Sequence, residues 1–247
     1  MRVACLLLLI AVPSAAAERY VADKSLASAD AIQAACADDK FVYAISNTRL
    51  VKFDRATGKE LGRSEGEAFH LNSGLIHDGK VYCAHSYYPT KPNDSDIRVL
   101  DPATMKLTIF HQFSESPGSL TWALPVEGGW WCCFAHYGDA NGKTVLIDYD
   151  RDWKERRRWT FPAKLVADWG GSSLSGGIRD GQTLLATGHD KKAVYCLKVP
   201  EESGEVEWLS TLESPFPGQG IAHDPVTGGL VGIDRTMKKV IFATRQL

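Results

Sequence analysis

Helical periodicity is nearly absent along these 247 residues, which argues against a helical bundle or an α/β fold. No cysteine pair has zinc-finger spacing, so a thiolate metal site is not expected. There is no glycine-rich phosphate loop, nucleotide fingerprint or haem-attachment motif. Neither charge dominates: 28 Lys and Arg face 30 Asp and Glu, for a net charge of -2. That balance speaks against a nucleic-acid partner and against an anionic membrane surface. No segment after the first twenty residues approaches the ~18–20 apolar residues needed to span a bilayer.

The first twenty residues, MRVACLLLLIAVPSAAAERY, place one arginine before a short apolar run, then a proline and small residues. This is the pattern of a secretory signal peptide over 1–17. A secreted or periplasmic protein with one domain over 18–247 is the expectation. Five cysteines then remain: Cys36, Cys83, Cys132, Cys133 and Cys196. Four lie inside apolar strand-like runs, which suits buried thiols acting as small hydrophobes. Cys132 and Cys133 should face opposite sides of their strand. Two disulfides accounting for four of the five are not expected.

What is present is repetition. VYCAHSYYP (81–89), WWCCFAHYGD (130–139) and LLATGHDKK (184–192) each run from apolar residues to a histidine: His85, His136 and His189. Around them one grammar recurs five times. A short strand rich in small residues leads to a tight turn, a strongly apolar strand, a variable loop and a third strand. Four units add an outer strand near KELGRS, KLTIFHQF, RRRWTFP and EVEWLSTL. With Phe41, Val81, Trp131, Leu184 and Leu230 as equivalents, the spacing is 40, 50, 53 and 46. Recurrence at this period is the mark of propeller blades. The expected fold is all-β: a five-bladed β-propeller of four-stranded antiparallel blades. The fifth unit stops one strand short, and ERYVAD (18–23) is expected to complete it. That pairing closes the ring and removes an exposed edge. YYPTKPNDSD (87–96) is read as a long loop, and DRDWKERRRW (150–159) as a solvated outer edge.

HLNSGLIHDGKVYCAHSYYP, GSLTW, WWCCFAHY, TGHD and GQGIAHD, in that order, resemble a group of exported bacterial five-bladed propeller proteins. Some of these carry the label cycloisomerase. Olfactomedin-like and lactonase-like propellers are more distant look-alikes. The resemblance covers most of the chain after the leader and implies the propeller; the substrate-handling residues of lactone-forming propellers have no evident counterparts here.

In a propeller, the start of each first strand and the end of each second strand reach the same face of the disc. The first-strand starts offer Gln33, His70, Asn72, Thr121, Trp122, Ser175 and Gln219; the second-strand ends offer His85, His136, His189 and Asp234. The four histidines are the candidates for proton transfer, and the others for ligand binding. Three uses compete for the repeated histidines: a divalent metal site, a structural collar, or a ligand pocket with neutral imidazoles. Strand spacing weighs against three of them sharing one ion. Tyr87, Tyr88 and Tyr137 follow the histidines in rim loops, while Trp122 and Trp169 are candidates for ligand stacking. The expected partner is a small molecule, a sugar or sugar acid, bound by a monomer. A cycloisomerase or lactonase-like enzyme using histidine proton transfer is the alternative, and an interaction scaffold the third. No cofactor is assigned.

Overall fold

The structure, a computed structural model, describes residues 18–246. The expected leader, 1–17, lies outside the described residues. The chain begins with β1 (Arg19–Ala27). A first four-stranded antiparallel sheet follows: β2 (Ala34–Ala37), β3 (Phe41–Ile45), β4 (Leu50–Asp54) and β5 (Glu60–Arg63). The second holds β6 (His70–His77), β7 (Lys80–Tyr87), β8 (Lys91–Asp101) and β9 (Lys106–Gln112). The third has β10 (Ser119–Val126), β11 (Gly129–Ala135), β12 (Val145–Asp150) and β13 (Glu155–Thr160).

Helix α1 (Ala163–Trp169) precedes β14 (Gly176–Asp180), β15 (Thr183–Thr187) and β16 (Ala193–Lys198). The short β17 (Gly204–Glu205) runs parallel to the outer edge of β13. The chain ends with β18 (Glu207–Glu213), β19 (Ala222–His223), β20 (Leu230–Asp234) and β21 (Lys239–Gln246). These strands form one eight-stranded sheet, ordered β14-β15-β16-β18-β1-β21-β20-β19. At its middle, β18 meets β1 through a single parallel pair, Arg19 opposite Glu213.

Both faces of the sheets are covered, and the sequence shows it. β2 is buried throughout, and β3 is buried apart from a partly exposed Phe41. A strand packed on both sides reads as a continuous apolar run instead of alternating. The outer strands β5, β9 and β18 are mostly exposed. Apolar clusters fill the gaps between neighbouring sheets in order. One joins the second and third sheets through Ile97, Leu120 and Phe134. The next joins β10–β13 to β14–β16 through Trp159, Leu184 and Tyr195. Another joins β14–β18 to β19–β21 through Leu185, Phe216 and Ile241. The largest links β19–β21 to the first two sheets through Val231, Tyr43 and Leu71.

The hairpin turns follow their residues. His77 pairs with Lys80, and the two turn residues Asp78 and Gly79 have φ of 47° and 73°. Positive φ at both centres is the twist-matching turn that Asp-Gly favours. At the centre the first strands approach backbone to backbone. A side chain at Gly220 would lie 2.6 Å from Ala34 Cβ and 2.8 Å from Ser73 Oγ.

The N-terminal strand pairs with β21 from Arg19–Gln246 to Ala27–Lys239, with an irregularity at Asp23. It is longer than the expected 18–23. Two local readings change. The 87–96 loop shrinks because β7 and β8 keep pairing as far as Tyr87–Lys91. Helix α1 and the 3-10 turn Gly138–Lys143 interrupt a chain read as nearly free of helix. Each is about two turns long, too short to show a period in sequence. Among the described residues, no helix is long and apolar enough to cross a membrane.

All five cysteines are free and buried. Cys132 joins the cluster on one side of its sheet and Cys133 the cluster on the other. Burial pushes every thiol up, Cys133 to about 12. Nucleophilic chemistry needs the thiolate, so these side chains are packing groups.

A polar cavity at the starts of the first strands

A cavity of about 340 Å³ opens where the first strands begin. Gln33 lies just before β2, His70 and Asn72 on β6, Thr121 on β10 and Ser175 just before β14, and all five line it. Four loops complete the wall with Tyr88, Tyr137, Gly171, Ser172 and His189. The structure therefore brings together six of the sequence candidates: Gln33, His70, Asn72, Thr121, Ser175 and His189. It adds Tyr88 and Tyr137, which the sequence places in rim loops, together with Gly171 and Ser172. No Asp, Glu, Lys or Arg is among the lining residues.

His70 is half-buried at the mouth. Burial lowers its pKa below the ordinary histidine value, and the neighbouring His85 and His189 push the same way against a hydrogen bond with Asn72. The imidazole is thus neutral at neutral pH. Asn72 is held by its amide, which donates to Leu120 O at 2.8 Å. Gln33 Nε2 donates to Asn47 Oδ1 at 2.7 Å. Tyr88 and Tyr137 meet with ring centroids 4.6 Å apart, and Tyr88 stands edge-on to His70 at 6.3 Å. Burial raises the Tyr137 hydroxyl to about 12 despite a hydrogen bond with Ser119.

His85 does not reach the cavity. It is fully buried on β7, with Nδ1 3.0 Å from Asp96 Oδ2. Its Nε2 accepts the Phe69 N–H at 2.9 Å, so Nδ1 carries the proton toward Asp96. Arg98 donates to the same carboxylate through Nε at 2.6 Å and to Glu67 O through Nη1 at 2.9 Å. Burial alone would raise the Asp96 carboxyl; the hydrogen bonds from His85 and Arg98 outweigh it and hold it below the usual range. The triad fixes residues 67–69, the segment that delivers His70. His85 is a positioning residue.

His136 is half-buried, and its ring lies against Gly118. Its backbone N–H donates to Thr144 Oγ1 at 3.1 Å. It is not among the cavity residues. His189 is, and it is engaged at both nitrogens. Nδ1 lies 2.7 Å from Asp190 Oδ2, and Arg235 Nη1 lies 3.2 Å from Nε2. An imidazole that accepts from a guanidinium has no lone pair left for a substrate proton.

The remaining candidates sit elsewhere. Gln219 is buried behind the wall, where its Nε2 donates to His189 O at 3.0 Å and steadies that loop. Asp234 closes a turn by accepting the Met237 N–H at 2.9 Å, and it borders a separate depression with Lys24 and Lys192. Trp122 is 1% exposed, and its Nε1 has no hydrogen-bond partner among the described residues. The β10–β11 pairing is irregular between Leu120 and Trp122, so Thr121 is left unpaired at the cavity while the indole packs in the inter-sheet core with Cys133 and Trp159. Trp169 is buried too; its Nε1 donates to Asn141 Oδ1 at 3.1 Å. Asn141 in turn donates to Gly170 O, which sets Gly171 and Ser172 on the cavity wall. Among the described residues, no group of three or more His, Cys, Asp or Glu is placed to hold a metal ion.

Of these four, Tyr88 and Tyr137 were legible as rim-loop residues, since each follows a repeated apolar strand and its histidine. Gly171 and Ser172 had none, because their position depends on α1 and on the Gly138 N–H donating to Gly171 O.

No protein-family model matches the chain, and no curated protein matches it in sequence. In structure it is similar to the glutaminyl cyclase of Myxococcus xanthus. The TM-score is 0.64 at 8% identity, over 93% of this chain and 97% of that one. At that identity the likeness speaks for the fold alone. The fold is all-β and propeller-like.

Proposed function

We propose that this chain is a five-bladed propeller of one domain whose polar mouth binds a small, neutral, polar ligand of the sugar or polyol type. The blade count follows from dividing the eight-stranded sheet at its one parallel pair, which leaves two four-stranded antiparallel units beside the three separate sheets. Export to the periplasm or beyond, as the leader suggests, accompanies this reading.

One observation carries the ligand class. The cavity offers amides, hydroxyls, the uncharged His70 imidazole and a tyrosine pair, with no Asp, Glu, Lys or Arg in its lining. Such a surface satisfies several hydroxyls at once and gives an anion no counter-charge. A sugar acid is therefore the poorer fit. The test is a thermal-shift panel of neutral monosaccharides, polyols and the matching uronic acids. At a hundredfold excess over Kd, a ligand adds ~2.7 kcal/mol, which raises the Tm by several degrees. A neutral compound should give that shift, and His70→Ala or Asn72→Ala should remove it. A shift produced only by the acids would overturn the reading.

A second reading is enzymatic, with His70 as the base of an intramolecular cyclisation. Its support is the imidazole kept neutral at the cavity mouth, on a fold shared with a glutaminyl cyclase. General base catalysis needs that neutral form. Turnover should then fall on acidification only below the ordinary histidine range, and His70→Gln should remove it.

A further inference from the structure

The same first strands end in a second opening with the opposite character. A cavity of about 410 Å³ lies at the far ends of β2, β6, β10, β14 and β19. Leu75, Ile76, Leu124, Pro125, Ile178 and Ala222 line it. A concave apolar surface with few polar groups is what an apolar ligand tail fills.

The polar groups at its rim are unequal. Asp38 is committed to its own turn, where Oδ1 accepts the Lys40 and Phe41 N–H groups at 2.8 and 2.6 Å. His223 Nε2 lies 2.6 Å from Arg179 O, as a donor to that carbonyl. The Arg179 guanidinium differs. Among the described residues no carboxylate ion-pairs with it. Its contacts are a 3.3 Å hydrogen bond to Gly181 O and a position over the Trp131 ring, 5.1 Å from the centroid. The side chain is exposed, rests over the indole, and carries an unneutralised charge at the edge of an apolar hollow.

We infer that this second mouth binds an amphipathic carboxylate, a medium-chain fatty anion, with its tail in the hollow and its head group on Arg179. The tail gains by leaving water. The guanidinium offers the carboxylate a two-pronged charge-assisted contact. A ligand that is apolar alone leaves Arg179 unused, and a small hydrophilic anion leaves the hollow wet.

Calorimetric titration of the full mature chain with decanoate, below its micelle concentration, tests this. Decanol and decyltrimethylammonium serve as the neutral and cationic controls. Decanoate should saturate one site, and decanol should bind about tenfold more weakly, or ~1.4 kcal/mol. Arg179→Gln should remove that difference without changing decanol binding. His70→Ala, at the opposite mouth, should leave decanoate binding unchanged, which separates this site from the polar one. Equal affinity for decanoate and decanol would overturn the inference. So would an Arg179→Gln protein that binds decanoate as wild type does, or uptake that never saturates.

Discussion

The two cavities draw on the same four strands, β2, β6, β10 and β14, with β19 reaching only the apolar one, yet they share almost no chemistry. At the starting ends stand Gln33, His70, Thr121 and Ser175; at the finishing ends stand Ala37, Leu75, Leu124 and Ile178. Direction along the strand makes the difference. Each first strand starts where a loop hands it over and ends in a tight hairpin, so polar groups gather at one end. Between them, Gly220 leaves no room for a side chain against Ala34 and Ser73. The two cavities have no lining residue in common, so they can be perturbed one at a time.

The largest expected effect destroys both. β1 pairs with β21 along its length and touches β18, so removing 18–27 exposes two strand edges and opens the cluster containing Tyr20. Circular dichroism and gel filtration should show no folded monomer for 28–247. A cooperative melt from that fragment would show the strand to be dispensable.

Next comes damage confined to the polar mouth. Asp96→Ala leaves the buried Arg98 and His85 without their shared acceptor. Breaking a buried pair costs about 3–5 kcal/mol, which chemical denaturation can measure. Below the new melting point, decanoate binding should persist while neutral-ligand binding is lost with the loosened 67–70 segment. His85→Ala should cost less, about 1–3 kcal/mol, the usual range for a buried partner left unmatched. A cost near zero would mean that the Phe69 N–H finds another acceptor.

Here the sequence was most and least informative. The repeat located the strands because apolar runs and Asp-Gly turns are local signals. It also singled out Gln33, His70, Asn72, Thr121 and Ser175, which line one cavity, since matching positions in stacked units share a height. It could not separate His85 from His189. Both end an apolar strand, but only the fold puts Asp96, Arg98 and the Phe69 N–H around one of them, and Arg235 beside the other. Trp122 illustrates the same limit: a pairing irregularity at Thr121, which no local signal marks, sets the indole in the core. The apolar mouth was also out of reach, because Leu75, Ile178 and Ala222 read as ordinary core residues until five strand ends meet.

The smallest effect is a pH dependence. His70 binds its proton less readily when folded than when unfolded, where its pKa is about 6.5, and His111, stacked on Trp153, shifts the same way through burial. The unfolded chain then takes up more protons on acidification. The stability these two neutral histidines confer is full above about 6.5 and declines as pH falls through the lowered folded values. His70→Gln should flatten part of that decline in denaturant midpoints measured between pH 7 and 5. An unchanged slope would place the His70 imidazole in water.

The most direct test of the account is calorimetric titration of the best neutral compound from the sugar and polyol panel into three proteins: wild type, His70→Ala and Arg179→Gln. The account predicts one saturable site in wild type, at least about a tenfold loss in His70→Ala, or ~1.4 kcal/mol, and no change in Arg179→Gln. Binding that survives His70→Ala but is lost in Arg179→Gln would contradict it, as would the absence of any saturable neutral ligand.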